Sequence, residues 1–327
     1  MRVFDDIDHT WLDGESVITI GAFDGVHVGH QALVREVLAE ARASGRQAGV
    51  VTFYPHPVNV LSAQNRVRYI TTPGEKAAIL ERLGLDFMAL MQFTMELARK
   101  SAGEFVHILV EHLHPKSIWV GPDFTFGYQR EGNVEVLRRL GAQWGFSVHV
   151  LPAVCLNGAV VSSTRIRQLL AEGKIEEVTA LLGRYYLVSG EVVPGRHRGR
   201  ALGFPTANLE VHGDRALPRD GVYACFALLG QQRFPAVANL GVRPTFGENK
   251  HILEVHLLDV RLELYGCDLA VEFVRWMRPE MCFASAGELV EQMRRDVEEA
   301  RRILQEARRD GVDIAIRDWS LLRVGGK

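Results

Sequence analysis

The stretch GAFDGVHVGH, Gly21 to His30, follows the apolar run VITI and sets His27 and His30 three residues apart among Gly21, Gly25 and Gly29. Beyond it, Leu33, Val34, Val37 and Leu38 recur at helical spacing, so His30 is expected at the amino end of a helix, where free backbone N–H groups favour an anion. Three readings compete. A metal site needs more ligands, yet the nearest acidic residue is Asp24 and no Cys accompanies the pair. A phosphate cradle explains the glycines, which let backbone approach a bulky anion. A tight structural turn explains them as well, and the stretch by itself does not choose.

The whole chain sets the frame. Its 327 residues, 47% of them hydrophobic, suit two domains with substantial cores. Lys and Arg number 38 against 40 Asp and Glu, so no global excess of positive charge points to nucleic acid. The opening MRVFDDIDHTW is acidic and lacks an apolar signal region, and no later segment has the uninterrupted apolar length to cross a bilayer. A cytoplasmic protein with neither nucleic-acid nor membrane partners is expected. Cys155, Cys225, Cys267 and Cys282 form no C-x-x-C pair, which predicts reduced, mostly buried thiols rather than a zinc ribbon or a disulfide scaffold.

Up to about Gly183, the runs VITIGAF, AGVVTF, DFMALMQF, SIWVG and VHVLPAV read as buried strands alternating with helical segments, the pattern of a parallel sheet covered by helices. Ser101 with Glu104 forms a capping box, Pro115 ends that helix, and Gly84 closes the helix carrying Ala78, Ile79 and Leu83. After LLGRYY the texture changes to shorter alternating runs, YLVSGEVV, GVYACFALL, RFPAVANLGV, ILEVHLLDV and AVEFVRWM, which suggest an antiparallel barrel or sandwich. A last long helix is expected from Ser285, with Leu289, Val290, Met293, Val297, Ala300 and Leu304 on one face. The predicted domains are residues 1–183 and 184–327.

Three further segments follow predicted strands of the first half: TFYPHP (Thr52 to Pro57), GPDFTFG (Gly121 to Gly127) and SSTRIR (Ser162 to Arg167). Open parallel sheets bind ligands at such strand ends. Ser163 and Thr164 offer hydroxyls or a helix cap, and Arg167 offers a fork suited to phosphate. Each has an ordinary structural reading, with His56 between prolines as a shaped loop, but together they converge on one crevice.

With these motifs in hand, the first half resembles the nucleotidylyltransferases marked by H-x-G-H and a late S-S-T-x-x-R, and most closely the FMN adenylyltransferase module of bacterial bifunctional FAD synthetases. The resemblance implies a Rossmann-like sheet and a nucleotide and phosphate loop built from Gly21, Phe23, Asp24, Gly25 and Gly29. In it His27 and His30 position ATP phosphates and stabilise developing charge, and Ser163, Thr164 and Arg167 assist as pyrophosphate leaves. Asp123 and Phe124 would shape the flavin or nucleotide pocket, although Phe124 also suits simple packing.

In the second half, GEVVPGRHRGRALGFPTANL (Gly190 to Leu209) carries Arg196, Arg198 and Arg200, too few and without an aromatic series for nucleic-acid binding. A phosphate-covering loop with Gly195, Gly199, Gly203 and Pro205 fits better. If Pro205 leads into extended structure, Thr206 and Asn208 present oxygens on one face, suited to a hard magnesium ion. Glu254 and His256 share a strand face, and Glu254 could take a proton from a substrate hydroxyl. This half resembles the riboflavin kinase module through GRALGFPTANL, GVYA, NLGVRPTF, LEVHLLD, LYG and DVEEAR. The resemblance implies a six-stranded antiparallel barrel with a terminal helix, Thr206 and Asn208 at the magnesium-ATP site, and Glu254 as the base on the riboflavin 5′-hydroxyl. Arg278 and Arg301 are candidate flavin contacts that, like Asp296, also suit salt bridges.

The resulting expectation is a bifunctional enzyme using riboflavin, FMN and ATP with Mg2+, FMN and FAD being its product ligands. Its competitors are an adenylyltransferase for another phosphorylated acceptor and a non-catalytic flavin-binding or regulatory protein. His107, His112 and His114 lack metal-binding spacing and read as surface residues of a packing helix. The final DGVDIAIRDWSLLRVGGK matches none of the motifs.

Overall fold

The computed structural model describes the chain except residues 6, 8–10, 63, 65, 195–202, 212, 246, 247, 261 and 310–327, together with the side chains of 243–250 and 309. Two compact units emerge, Met1–Ser163 and Thr164–Lys327. Gly195 and Gly199, the three arginines between Gly195 and Ala201, and the final segment from Asp310 lie outside the described residues.

The first unit is built on six parallel strands: β1 (Arg2–Phe4), β2 (Ser16–Ile20), β3 (Gln47–Tyr54), β4 (Phe87–Gln92), β5 (Pro115–Val120) and β6 (Ser147–Val150). They run in the order β1-β4-β3-β2-β5-β6. Every residue of β2 is buried, because helices cover both faces of a parallel sheet, and this is why VITI reads as an unbroken apolar run. Edge strand β1 has no such signature, its residues being exposed or half-buried, and it escapes the sequence reading. A core of Ile18, Val51, Phe87, Ile118 and Val120 packs against Phe105, Val106 and Leu109 of one covering helix.

Around the sheet lie α1 (Val28–Ser44), α2 (Pro57–Leu61), α3 (Pro73–Arg82), α4 (Met95–Arg99), α5 (Ala102–Leu113) and α6 (Val134–Trp144). The capping box of α5 forms as expected: Ser101 Oγ accepts from Glu104 N at 3.2 Å, and Glu104 accepts from Ser101 N at 2.7 Å. His107 on α5 is exposed and pairs with Glu111 at 3.6 Å. His112 departs from expectation: it is buried, with its ring 5.1 Å from that of Trp11, because its position faces the sheet. The chain moves from β2 to β3 on one side and later returns to β5 on the other, so the crevice beyond the carboxyl ends of β2 and β5 is the topological switch point.

The second unit begins with α7 (Ser163–Glu172), whose first residue closes the first unit, and α8 (Ile175–Leu182). A closed antiparallel barrel follows: β9 (Tyr186–Val193), β10 (Ala207–Glu210), β11 (Gly221–Leu229), β12 (Gln232–Thr245), β13 (Glu248–Leu257) and β14 (Asp268–Arg278). Before α7, β7 (Cys155–Leu156) and β8 (Ala159–Val160) form a two-stranded antiparallel ribbon in the first unit. The barrel order is β10-β13-β12-β11-β14-β9, which decides between barrel and sandwich. Alternation along β13 sends Leu253, Val255 and Leu257 inward and leaves Glu254 and His256 half-buried on the outer face.

The last helix, α9 (Ala286–Arg309), lays Ala300, Ile303 and Leu304 on Ala224, Phe226 and Val274. Strand β11 is therefore covered on both faces, and GVYACFALL loses the period-2 pattern of a solvated strand. At the helix start Ser285 Oγ accepts from Glu288 N at 3.2 Å, while the Glu288 carboxylate takes Ala284 N rather than Ser285 N. Of the four cysteines only Cys225 is buried; Cys267 is half-buried and Cys155 and Cys282 are exposed, against the expectation of mostly buried thiols. All four are free.

Candidate functional sites

In the first unit the Gly21–His30 loop leaves the carboxyl end of β2 and turns directly into α1. Phe23 (φ 48) and Val26 (φ 38) both adopt left-handed backbone, and both are buried. For a β-branched residue such as Val26 this is an outlying conformation, costing on the order of 1–3 kcal/mol, so the surroundings must impose it. They do so through Asp24, whose buried carboxylate accepts from Ile70 N at 3.0 Å and Thr71 N at 3.1 Å. Thr71 Oγ1 accepts from Gly25 N at 3.0 Å, and Gln31 Nε2 donates to Val26 O at 2.9 Å. Gly25 sits at φ 82 with Ile70 so close that an added Cβ would lie 2.9 Å from its Cγ2. The Asp24 carboxylate thus ties the loop to the Ile70–Thr71 segment and works as the loop's anchor.

His27 is the N-cap of α1: its Nδ1 accepts from His30 N at 3.3 Å. With Nδ1 accepting this bond, Nε2 is the ring nitrogen through which His27 can donate. The two imidazoles stack with centroids 3.6 Å apart and 13° between planes, and Phe23 backs His30 at 4.6 Å. An added Cβ on Gly29 would lie 3.1 Å from His27 Nδ1, so this glycine permits the stack. The helix N-terminus and the paired imidazoles form an anion-facing surface.

The companion loops vary in what they offer. Ser163 Oγ donates to Asp24 O at 2.8 Å, tying the SSTRIR motif to the first loop. Thr164, exposed, and Arg167, half-buried, follow on α7 and belong to the second compact unit. Phe124 stacks on Phe126 at 5.3 Å and packs against the core, while Asp123 is exposed. His56 caps α2, accepting from Val58 N at 3.2 Å, which is the shaped-loop role.

Sequence reading missed Lys76 on α3. It is buried, and its Nζ donates to Ala22 O at 2.7 Å and to Thr52 Oγ1 at 3.0 Å. Burial pulls its pKa down from 10.5 to about 8, against the opposing attraction of Asp24. A lysine inside an amphipathic helix ordinarily reads as solvated surface, so no local signal could have found it.

In the second unit, strand register assembles the site. Asn208 on β10 pairs with Glu254 on β13, which pairs with Asn239 on β12, so three polar side chains share one outer row of the barrel. Asn208 is buried and its Oδ1 has no hydrogen-bond partner among the described residues; the same holds for Oδ1 of Asn239, whose Nδ2 donates to Glu280 at 3.0 Å. His256 donates from Nδ1 to Pro205 O at 2.8 Å, fastening β13 to the Pro-Thr-Ala-Asn segment. Gly203, Pro205, Thr206 and Asn208 line a cleft of about 460 Å³ whose far wall includes Leu262 and Tyr265.

The orphaned Asn208 oxygen beside the Thr206 hydroxyl is a hard donor set, and it fits a magnesium ion carried in by nucleotide phosphates. Among the described residues no cluster of three His, Cys, Asp or Glu could hold a metal without such help. Arg278 and Arg301 are both committed to carboxylates. Arg278 forms a two-pronged bond to Asp296 at 2.8 and 2.6 Å, mostly buried, and Arg301 pairs the same way with exposed Asp259, which that bond holds below the usual carboxylate range.

Two family models match the chain, FAD synthetase over residues 10–165 and riboflavin kinase over residues 182–304. The bifunctional riboflavin kinase/FMN adenylyltransferase of Escherichia coli K12 is 39% identical, the match covering 86% of this chain and 90% of the relative. The chain belongs to the bifunctional riboflavin kinase/FMN adenylyltransferase family. Within that family the Haemophilus influenzae relative is 36% identical over 86% of this chain and 92% of its own, and the Listeria monocytogenes relative 34% over 88% and 92%. A crystal structure described as a macrolide-efflux protein from Streptococcus pneumoniae superposes with a TM-score of 0.85 at 31% identity, covering 91% of this chain and 98% of that one. Efflux is that protein's description; here, among the described residues, no helix is long and apolar enough to cross a membrane.

Proposed function

We propose that the second half phosphorylates riboflavin to FMN with ATP and that the first half joins FMN to the AMP moiety of a second ATP, giving FAD and pyrophosphate. The observation that carries this reading is the presence in one chain of two sites with complementary chemistry. One is a row holding a carboxylate between two amides beside a cleft, and the other is a glycine-rich loop ending in paired imidazoles at a helix N-terminus.

In the second half Glu254 takes the proton of the riboflavin 5′-hydroxyl as that oxygen attacks the γ-phosphorus of ATP, and ADP leaves. Thr206 and Asn208 hold Mg2+, which offsets charge on the phosphates when bound. Gly203 and Pro205 shape the lip of the cleft over the nucleotide. Gly195 and Gly199 belong to the same phosphate-covering segment in sequence.

In the first half no protein nucleophile is needed, since the FMN phosphate itself attacks the α-phosphorus of ATP and pyrophosphate departs. Gly21, Phe23, Gly25 and Gly29 form the floor that lets backbone approach the triphosphate, with Asp24 holding that floor from behind. His27, through Nε2–H, and His30 stabilise the charge that builds on the phosphate oxygens. Ser163, Thr164 and Arg167 act on the departing pyrophosphate, and Asp123 lies on the rim of the flavin pocket with Phe124 behind it. Arg278 and Arg301 serve the flavin end of the kinase site indirectly, by setting α9 and the segment after β13. We place the functional boundary near Gly183–Arg184, at the start of the riboflavin kinase match, which begins at residue 182, and the enzyme in the cytoplasm.

The test is direct: purified protein is incubated with riboflavin, ATP and Mg2+ and the flavins are separated over time. FMN accumulating first and FAD after it is the expected course. Absence of both products under oxidising and reducing conditions overturns the reading.

A further inference from the structure

The buried polar cluster behind the Gly21–His30 loop has a charge balance that matters to any polyanion bound in front of it. Asp24 is buried at 2% exposure, and its carboxylate is spent on the N–H groups of Ile70 and Thr71. Lys76 is buried at 5%, and its ammonium is spent on the carbonyl of Ala22, the residue just before left-handed Phe23, and on the Thr52 hydroxyl. Thr52 Oγ1 donates to the same Ala22 carbonyl at 2.9 Å, so β3 and α3 both pin one peptide of the loop. No ordinary account of folding requires a lysine there, because burying an ammonium is costly and a methionine would fill the space.

We propose that Lys76 is a positioning residue for adenylyl transfer, which fixes the Ala22 peptide and neutralises Asp24 so that the loop can receive the triphosphate of ATP. The inference rests on the FAD-forming role assigned to the first half. Without the ammonium, Asp24 leaves an uncompensated negative charge directly behind a loop that must accept a polyanion. Water cannot screen it, since both groups are buried. At an effective dielectric of about 20 and a separation of about 10 Å, one unit charge changes affinity by about tenfold.

The surroundings make this charge titratable in the working range. Asp24, on the loop, is the charged group acting on Lys76 from outside its helix; Glu75, its neighbour on α3, is held in the capping box by Thr72 N at 2.9 Å; β3 contributes the neutral Thr52 hydroxyl. With its pKa drawn down to about 8 from 10.5, the folded protein releases this proton before the unfolded chain does. Between those values the unfolded state binds more protons, so this group makes the fold more stable as pH rises while adenylyl transfer weakens. Opposite trends in stability and activity separate a loss of function at the loop from unfolding.

The experiment compares Lys76→Met, the double variant Asp24→Asn/Lys76→Met and the wild-type full chain, reading KM for ATP in FAD formation with riboflavin phosphorylation as the internal control. Lys76→Met should raise that KM about tenfold and leave phosphorylation unchanged. The double variant, which restores neutrality and keeps an acceptor for Ile70 and Thr71, should recover most of the loss. A wild-type KM in Lys76→Met, or a double variant worse than the single one, overturns the proposal.

If Lys76→Met does not fold, the wild-type pH profile decides. KM for ATP should climb above about pH 8 in FAD formation only, with no fall in thermal midpoint, and a flat profile overturns the proposal. A wild-type protein that forms no FAD at any pH overturns the functional reading instead.

Discussion

Asn208 on β10 stands directly opposite Glu254 on β13, with its buried side-chain oxygen unsatisfied by any described residue. A buried amide oxygen left without a partner costs roughly 1–3 kcal/mol, a price retained here beside the candidate base. Asn208→Ala should therefore leave the barrel as stable or slightly more so. It should raise the Mg2+ concentration needed for riboflavin phosphorylation several-fold while FAD formation from supplied FMN keeps its Mg2+ dependence. A metal titration of both activities on one preparation checks this.

Glu254→Gln keeps the size and one oxygen of the side chain and removes its basicity. Riboflavin phosphorylation should fall by about 10²–10⁴ in kcat, with little change in the KM for ATP, and adenylylation of supplied FMN should continue at the wild-type rate. Steady-state assays of the two half-reactions distinguish this from general damage, which would lower both.

His27 combines a cap and a proposed donor, and two substitutions divide them. In His27→Asn the amide oxygen still caps α1, so the thermal midpoint should stay near wild type, whereas His27→Ala loses about 1 kcal/mol. Both should depress FAD formation by about 10²–10³ and spare FMN formation, as should His30→Ala. Wild-type FAD formation in His27→Asn would assign the residue to capping alone.

Arg278 and Arg301 make similar two-pronged bonds but differ in burial, with side chains 17% and 43% exposed. Asp296→Ala strands a mostly buried guanidinium and should destabilise the barrel by about 3 kcal/mol, and Arg278→Met/Asp296→Leu should recover most of it. Arg301→Ala should cost about 0–1 kcal/mol. Urea unfolding of the full chain followed by circular dichroism measures these changes.

Much of this was legible in the residues. The H-x-G-H loop, the capping box of α5 and the fully apolar strands announce themselves because local hydrogen bonding and two-sided burial leave strong patterns over a few residues. Edge strand β1 and the burial of His112 were not legible, since each depends on what a distant segment places against it. The flavin candidates show the same limit. Nothing local to Arg278 says that Asp296, a turn and a helix later, takes up its guanidinium.

By itself the amino-acid order determined that this protein has a parallel sheet followed by an antiparallel barrel or sandwich, and which short motifs carry the family resemblance, because those motifs are contiguous and their backbone preferences are local. Only the tertiary structure decided that Asn208, Glu254 and Asn239 share one row, that the Asp24 carboxylate is taken up by the Ile70 and Thr71 amides, and that Lys76 of α3 holds the Ala22 carbonyl of the first loop. Strand register and the burial of charge are set by contacts between segments remote in sequence, and their energies exist only once those segments have met.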